Sequence, residues 1–265
     1  MGQFTDRPHP VLFGPCMSLW KREMVRFFRQ RTRVIGAFLT PLVIWLMIGY
    51  GLSHSFQYRE LPYQHYFFPG IISMMLLFTA IFSTISVIED RREGFMQAVL
   101  VAPVPRMAIV MGKVFGGASI ATIQGVLLLC LIPVIGLRPE VGMILLAVPA
   151  MFIFSASLTA LGLWVAWPMD STAGFHAVMN LFLMPMWVLS GAVFPLTNAP
   201  KALQLLMWIN PMTYGQAVLS GLLTGDRAVT DTVEIKLASV VMIGFGVVMI
   251  VLANRMVGRP RKDGT

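Results

Sequence analysis

The chain has 265 residues, of which 57% are hydrophobic and only 12% charged. Soluble domains carry about 25% charged residues, so the composition excludes a water-soluble protein and points to an all-α chain integral to a membrane. The formal net charge of +8 would suggest nucleic acid in a soluble protein. Here the basic residues gather at the two ends and in one loop, so membrane sidedness explains them and no nucleic-acid partner is expected.

Residues 18–33 read as an amphipathic helix lying in the membrane interface. Trp20, Met24, Phe27 and Phe28 fall on one helical face and Arg22, Arg26, Arg29 and Arg33 on another, a pattern suited to the headgroup layer. The first 33 residues lack a continuous apolar core, so no cleavable leader is expected and the N-terminus should stay in the cytoplasm. Cys16 and Cys130 lie in unlike surroundings, one basic and one apolar, and are poorly placed for a disulfide; no metal spacing is present.

Six stretches are apolar and long enough to span a bilayer: 34–52, 66–88, 107–135, 141–167, 176–194 and 233–253. In the third, Gly112 and Gly116, then Gly117, Ala121 and Gly125, recur every four residues, the small-residue spacing that lets membrane helices approach closely. Between the fifth and sixth, residues 195–223 are apolar but broken by Pro195, Pro200 and Pro211 into pieces too short to cross. They are expected to form a re-entrant helical hairpin on the outer face, packed on other spans. Asp170 or Ser171 is placed to cap the fifth span's helix.

The stretch 89–106, EDRREGFMQAVLVAPVPR, is the one around which the rest is organised. Five charged residues, Glu89, Asp90, Arg91, Arg92 and Glu93, precede Gly94 and a short run with Phe95 and Val99 on one face and Met96 and Leu100 on a neighbouring one, stopped by Pro103 and Pro105. Such a run is too short to cross and suits docking on a protein surface. Six spans put both termini and this loop on one side. Seven basic residues before the first span, Arg91, Arg92, Arg106 and Lys113 in the middle, and Arg255, Arg259, Arg261 and Lys262 after the last make that side cytoplasmic.

The spans hold almost no titratable groups. Asp170, His176, Glu234 and Lys236 lie near span ends, so an ion-coupled carrier is disfavoured, though it stays open beside a membrane assembly scaffold. There is no phosphate-binding loop, zinc motif or nucleophile elbow, so the chain is not expected to be an enzyme by itself.

EDRREGFMQAVLVAPVPR after the second span, together with Leu189-Ser190-Gly191, Phe194-Pro195 and Asn210-Pro211 with Tyr214, resembles the membrane subunits of type-two ATP-binding cassette exporters. The likeness covers nearly the whole chain. It departs at Gly94-Phe95-Met96-Gln97, where members often end the motif on a glutamate. The resemblance implies a permease subunit that binds no cofactor itself and works with a second copy, as a homodimer, and with two separate ATPase subunits that bind ATP and magnesium. It implies a multi-pass protein of a bacterial-type inner membrane, surrounded by lipid, with both termini cytoplasmic. Glu89 to Phe95 would contact the ATPase. Met75, Phe78, Phe82, Asn180 and Met184 would line a path for an amphipathic or lipid-linked cargo such as a drug, glycan or lipid. Phe194, Pro195, Asn210, Pro211 and Tyr214 would belong to an outer gate. The same Met and Phe side chains also suit core packing or lipid contact.

Overall fold

In this computed structural model the described residues are 12–52, 57–58, 61–102, 104–225 and 233–257. The basic residues Arg7, Arg59, Arg227, Arg259, Arg261 and Lys262, and the helix-stopping Pro103, lie outside them. Helix α1 (Phe13–Arg29) meets α2 (Arg31–Ile44) at Gln30, and α2 runs on as a π-helical turn, Trp45–Tyr50. A two-residue antiparallel pair, β1 (Gln57–Tyr58) and β2 (Leu61–Pro62), leads into α3 (Tyr63–Ser83). Then come α4 (Ile85–Arg92), α5 (Phe95–Val101), α6 (Arg106–Leu129), the single turn α7 (Ile132–Ile135) and α8 (Val141–Ala166). The chain continues through α9 (Thr172–Trp187) with a π-turn at Val188–Ala192, then α10 (Lys201–Ile209), α11 (Pro211–Thr224) and α12 (Ile235–Val257).

Five helical runs are long and apolar enough to cross a bilayer: Tyr63–Arg92, Arg106–Ile135, Val141–Ala166, Thr172–Ala192 and Ile235–Val257. A sixth arises if Phe13–Arg29 and Val34–Tyr50, which meet at a bend of 69°, are taken together. The chain is thus a multi-pass, all-helical membrane protein. The run Tyr63–Arg92 is its axis, with 89% of its apolar stretch buried, whereas Ile235–Val257 has 17% buried and lies at the edge.

The helical run that carries the second expected span extends beyond 66–88, from Tyr63 to Arg92. It takes in Glu89 to Arg92, because Asp90 is fully buried against cations from other helices and the helix therefore has no reason to end where the charges begin. It stops at Gly94, whose φ of 77° is a left-handed conformation that side-chain-bearing residues adopt only at a cost.

Two apolar clusters hold the bundle. The larger centres on Phe67, Phe68, Ile71, Ile72, Met75 and Leu76 of α3, all essentially unexposed. The smaller, at the charged end, joins Leu19 of α1, Met96 of α5, Val110 and Val114 of α6, Leu163 of α8 and Val257 of α12. The glycine spacing of α6 serves both. A Cβ on Gly112 or Gly116 would lie 2.7 Å from the Cβ of Leu19 or Glu23, so these two admit α1, while Gly125 admits Met151 of α8 and Leu76 of α3.

Residues 196–224 form a short 3₁₀ turn, Leu196–Asn198, and two helices of 9 and 14 residues, neither long enough to cross. Helix α11 is largely buried against α3, α8 and α12, whereas α10 leaves Leu205, Leu206 and Ile209 exposed. Ser171 caps α9 by accepting from Gly174 N at 3.2 Å; the other capping candidate, Asp170, instead pairs with Arg91 at 3.4 Å.

The tight seat of α1 gives a test. Gly116→Val forces a side chain into Glu23 and should lower stability by about 1–3 kcal/mol, read as thermal unfolding of the purified protein in detergent. Gly244→Val, where an added Cβ meets nothing within 4 Å, should leave the midpoint nearly unchanged.

Candidate functional site

Helix α1 presents three faces rather than two. Leu19, Glu23 and Phe27 are buried against the bundle. Phe13, Met17 and Phe28 form an exposed apolar stripe, and Lys21 and Arg29 are exposed beside it. The stripe fits a helix lying along a lipid surface. Trp20, at the stripe's edge, donates from Nε1 to Ser119 Oγ of α6 at 3.0 Å. Two of the four arginines expected to face headgroups do not: Arg22 and Arg26 turn inward because carboxylates wait there. Phe27 leaves the exposed stripe for the same buried face. Arg29 is exposed as expected, and the side chain of Arg33 lies outside the described residues.

The carboxylates belong to the end of α4, and a lysine of α6 completes the group. Arg22 grips Asp90 through two parallel hydrogen bonds, 2.7 and 2.6 Å, the bidentate geometry that guanidinium and carboxylate share. Its contact with Asp90 raises the pKa of Arg22 above the ordinary arginine value. Arg26 donates to Asp90 at 2.8 Å and to Glu89 at 2.6 Å. From the other side Lys113 reaches Asp90 and Glu23, each at 2.5 Å, and Ser86 Oγ at 3.1 Å. Among the described residues the buried charged side chains are Glu23, Asp90 and Lys113, and all three are in this cluster. Burial of an unpaired charge would cost several kcal/mol, so the cluster exists only while α1, α4 and α6 stay together.

The seven candidate docking residues therefore divide. Asp90 has no exposed surface, and Glu89, with about a third of its side chain exposed, accepts from Arg26. Arg91 turns toward the end of α8, donating to the carbonyls of Trp167 and Met169 and lying 5.4 Å from the Trp167 ring centroid. Arg92 and Glu93 are exposed, on the turn that Gly94 closes. Phe95 is half-buried under Arg22, whose guanidinium carbon is 3.8 Å from its ring centroid, and Met96 anchors α5 in the smaller cluster.

Next to the cluster lies a cavity of about 600 Å³ between α1, α2, α3, α4 and α9. Met75, Phe78, Phe82 and Met184 line it, four of the five residues proposed for a path, together with Phe27, Thr40, Pro41, Thr79, Glu89 and His176. Asn180 does not; it is exposed on α9, one turn from His176 and Met184. The Phe82 and His176 rings are 4.7 Å apart.

At the far end, the residues proposed for a gate build a braced elbow. Asn210 caps α11 by accepting from Met212 N at 3.0 Å and donates to Met186 O at 2.6 Å. Pro211 occupies the first turn of α11, and Tyr214 donates to Trp208 O at 2.8 Å. Tyr66 OH reaches the carbonyl of Gly191, a left-handed residue, and Tyr63 OH that of Val193, so the start of α3 clamps the end of α9. Pro195 is buried in the same region and Phe194 half-buried.

Glu23, Lys113, Arg22 and Arg26 were missed as a unit. The signal was present: a lysine eight residues into an apolar helix and a lone glutamate on a basic one are expensive charges that call for each other. Lys113→Met should leave two buried carboxylates short of a cation and cost about 3–5 kcal/mol, measured by thermal or denaturant unfolding in detergent. Lys113→Met with Glu23→Leu should recover part of that loss, whereas Arg92→Ala should shift the midpoint little.

The family profile described as ABC-2 type transporter matches residues 15–223, which takes in the cluster, the cavity and the elbow. The chain is similar to a putative transport permease, ycf38, of Cyanophora paradoxa, 26% identical over 202 residues, covering 74% of this chain and 69% of that protein. It is 30% identical over 156 residues to the probable multidrug ABC transporter permease YbhR of Escherichia coli, covering 58% of this chain but only 42% of that permease. Nodulation protein J of Sinorhizobium fredii is 24% identical over 204 residues, covering 75% of this chain and 77% of the relative. With the greater part of the sequence inside the family profile and permeases among its relatives, the chain belongs to the ABC-2 type transporter family, as a membrane permease subunit.

Proposed function

We propose that this permease subunit exports an amphipathic or lipid-linked molecule from the cytoplasm, driven by two separate ATPase subunits that bind ATP and magnesium. Two copies of the permease would form the path, in a bacterial-type inner membrane with both termini cytoplasmic. The observation that carries this reading is the outward presentation of Arg92 and Glu93 on a turn whose two flanking helices are fixed to the bundle. A docked ATPase pushing on that turn would act on α4 directly and, through Asp90, on α1 and α6 together. Because α4 continues α3, the push would reach the cavity wall at Phe82, Phe78 and Met75.

The remaining geometry supports the same direction. Each buried charge is paired inside the cluster, which is what a rigid coupling needs and what a lone ion carrier lacks. The cavity, rich in Met and Phe with the hydroxyls of Thr40 and Thr79, suits a bulky apolar cargo with a few polar groups. The elbow at Asn210 and Pro211 would gate the outer end, moving with α9 through the Asn210–Met186 hydrogen bond. Rigid-body tilting of the second and fifth spans would then exchange an inward-open for an outward-open path.

Reversing the exposed pair, Arg92→Glu with Glu93→Arg, should reduce stimulation of the ATPase by the permease at least about tenfold, the scale of losing a few charge-assisted contacts. The unfolding midpoint should shift little, because neither side chain is buried and the Arg26–Glu93 contact is long, 3.9 Å. Full stimulation in that variant would argue against docking at this turn.

A further inference from the structure

We propose that the cavity between α1, α2, α3, α4 and α9 selects lipophilic monocations, and that Glu89 of α4 is the residue that makes the selection. The inference rests on the export reading above and narrows its cargo.

Glu89 is the one acidic side chain among the described residues that line the cavity, and it keeps 33% of its side-chain surface exposed. Its cation partner, Arg26, is not among the lining residues. A ligand in the cavity therefore meets the carboxylate and not the guanidinium. Arg26 also does not depend on Glu89: it holds Asp90 at 2.8 Å and has Glu93 at 3.9 Å. Glu89 can turn to a ligand without leaving Arg26 unpaired.

The charge balance favours a cation. Among the described residues the bridged group contains four carboxylates, Glu23, Glu89, Asp90 and Glu93, and three cations, Arg22, Arg26 and Lys113, a formal excess of one negative charge. In apolar surroundings that excess repels an anion, and a neutral molecule offers Glu89 nothing in exchange for Arg26. Phe27, Phe78 and Phe82 line the same space, and aromatic faces attract desolvated cations. Met74, Met75 and Met184 adapt to varied apolar shapes, so the selection is for charge and bulk rather than for one outline.

The test uses the permease with its ATPase in nanodiscs, without nucleotide, with binding to empty nanodiscs subtracted. The probes are tetraphenylphosphonium, its anionic isostere tetraphenylborate, and neutral triphenylphosphine oxide. The unaltered complex should bind the cation at least about tenfold more tightly than the anion. Glu89→Gln should lose about tenfold in cation affinity while binding the neutral probe as before, and Glu89→Asp should keep the preference for the cation. Equal cation binding by the unaltered protein and Glu89→Gln would overturn the proposal. So would loss of cation and neutral probe alike, since Glu89 would then support the cavity without selecting. Binding here needs no hydrolysis, so cation selectivity without ATP-driven transport would count against the export reading alone.

Discussion

A buried lysine in an apolar helix is tolerable only if its charge is answered, and the answer organises one end of this molecule. Lys113 of α6 is met by Glu23 of α1 and Asp90 of α4, and Asp90 in turn is gripped by Arg22 and Arg26. Three segments that apolar packing would allow to slide past one another are thereby given one register. Hydrophobic burial is non-directional, whereas a bidentate arginine–carboxylate pair and a lysine between two carboxylates fix a particular geometry. The glycines of α6 complement this by letting α1 come close enough for the side chains to meet.

Such an arrangement suits a protein that must pass movement from its surface to its interior. The exposed turn at Arg92–Glu93, the cluster's carboxylates Glu89 and Asp90, and the α3 side of the cavity wall lie on one continuous run from α3 to α5. Arg91 adds a further tie, to the carbonyls that end α8. At the opposite end, tyrosines of α3 hold the backbone of the α9 π-turn and of the residue after it, so both ends of the most buried span are fixed to neighbours by polar contacts. Apolar packing fills the length between them.

Much of this was legible in the sequence, for identifiable reasons. Apolar length marks membrane helices directly, and prolines at 195, 200 and 211 divide the hairpin region where its helices do break. The four-residue glycine spacing of α6 signalled close packing, although not that α1 would be one of the partners. Met75, Phe78 and Phe82 share one side of α3 at three- and four-residue spacing and meet Met184 of α9 at the cavity, whereas Asn180, four residues from both His176 and Met184 on the same face of α9, is not among the lining residues. The faces of α1 were less legible. Periodicity groups Arg22 with Arg26 but does not say whether water or a carboxylate 60 residues or more away receives them. Nor does a run of five charges announce that one of its members, Asp90, will be the most buried polar group at that end.

We propose that the ion cluster keeps α1, the α4–α5 turn and the start of α6 one rigid unit through the transport cycle. Spin labels at Lys21 and Gln97, both exposed, report this directly by pulsed electron–electron distance measurement in the complex with its ATPase, with and without trapped nucleotide. A rigid unit predicts a Lys21–Gln97 distance within one permease chain that holds to within about 2 Å when nucleotide is trapped. A separation of the two labels within one subunit by more than that, on the same transition, would contradict it.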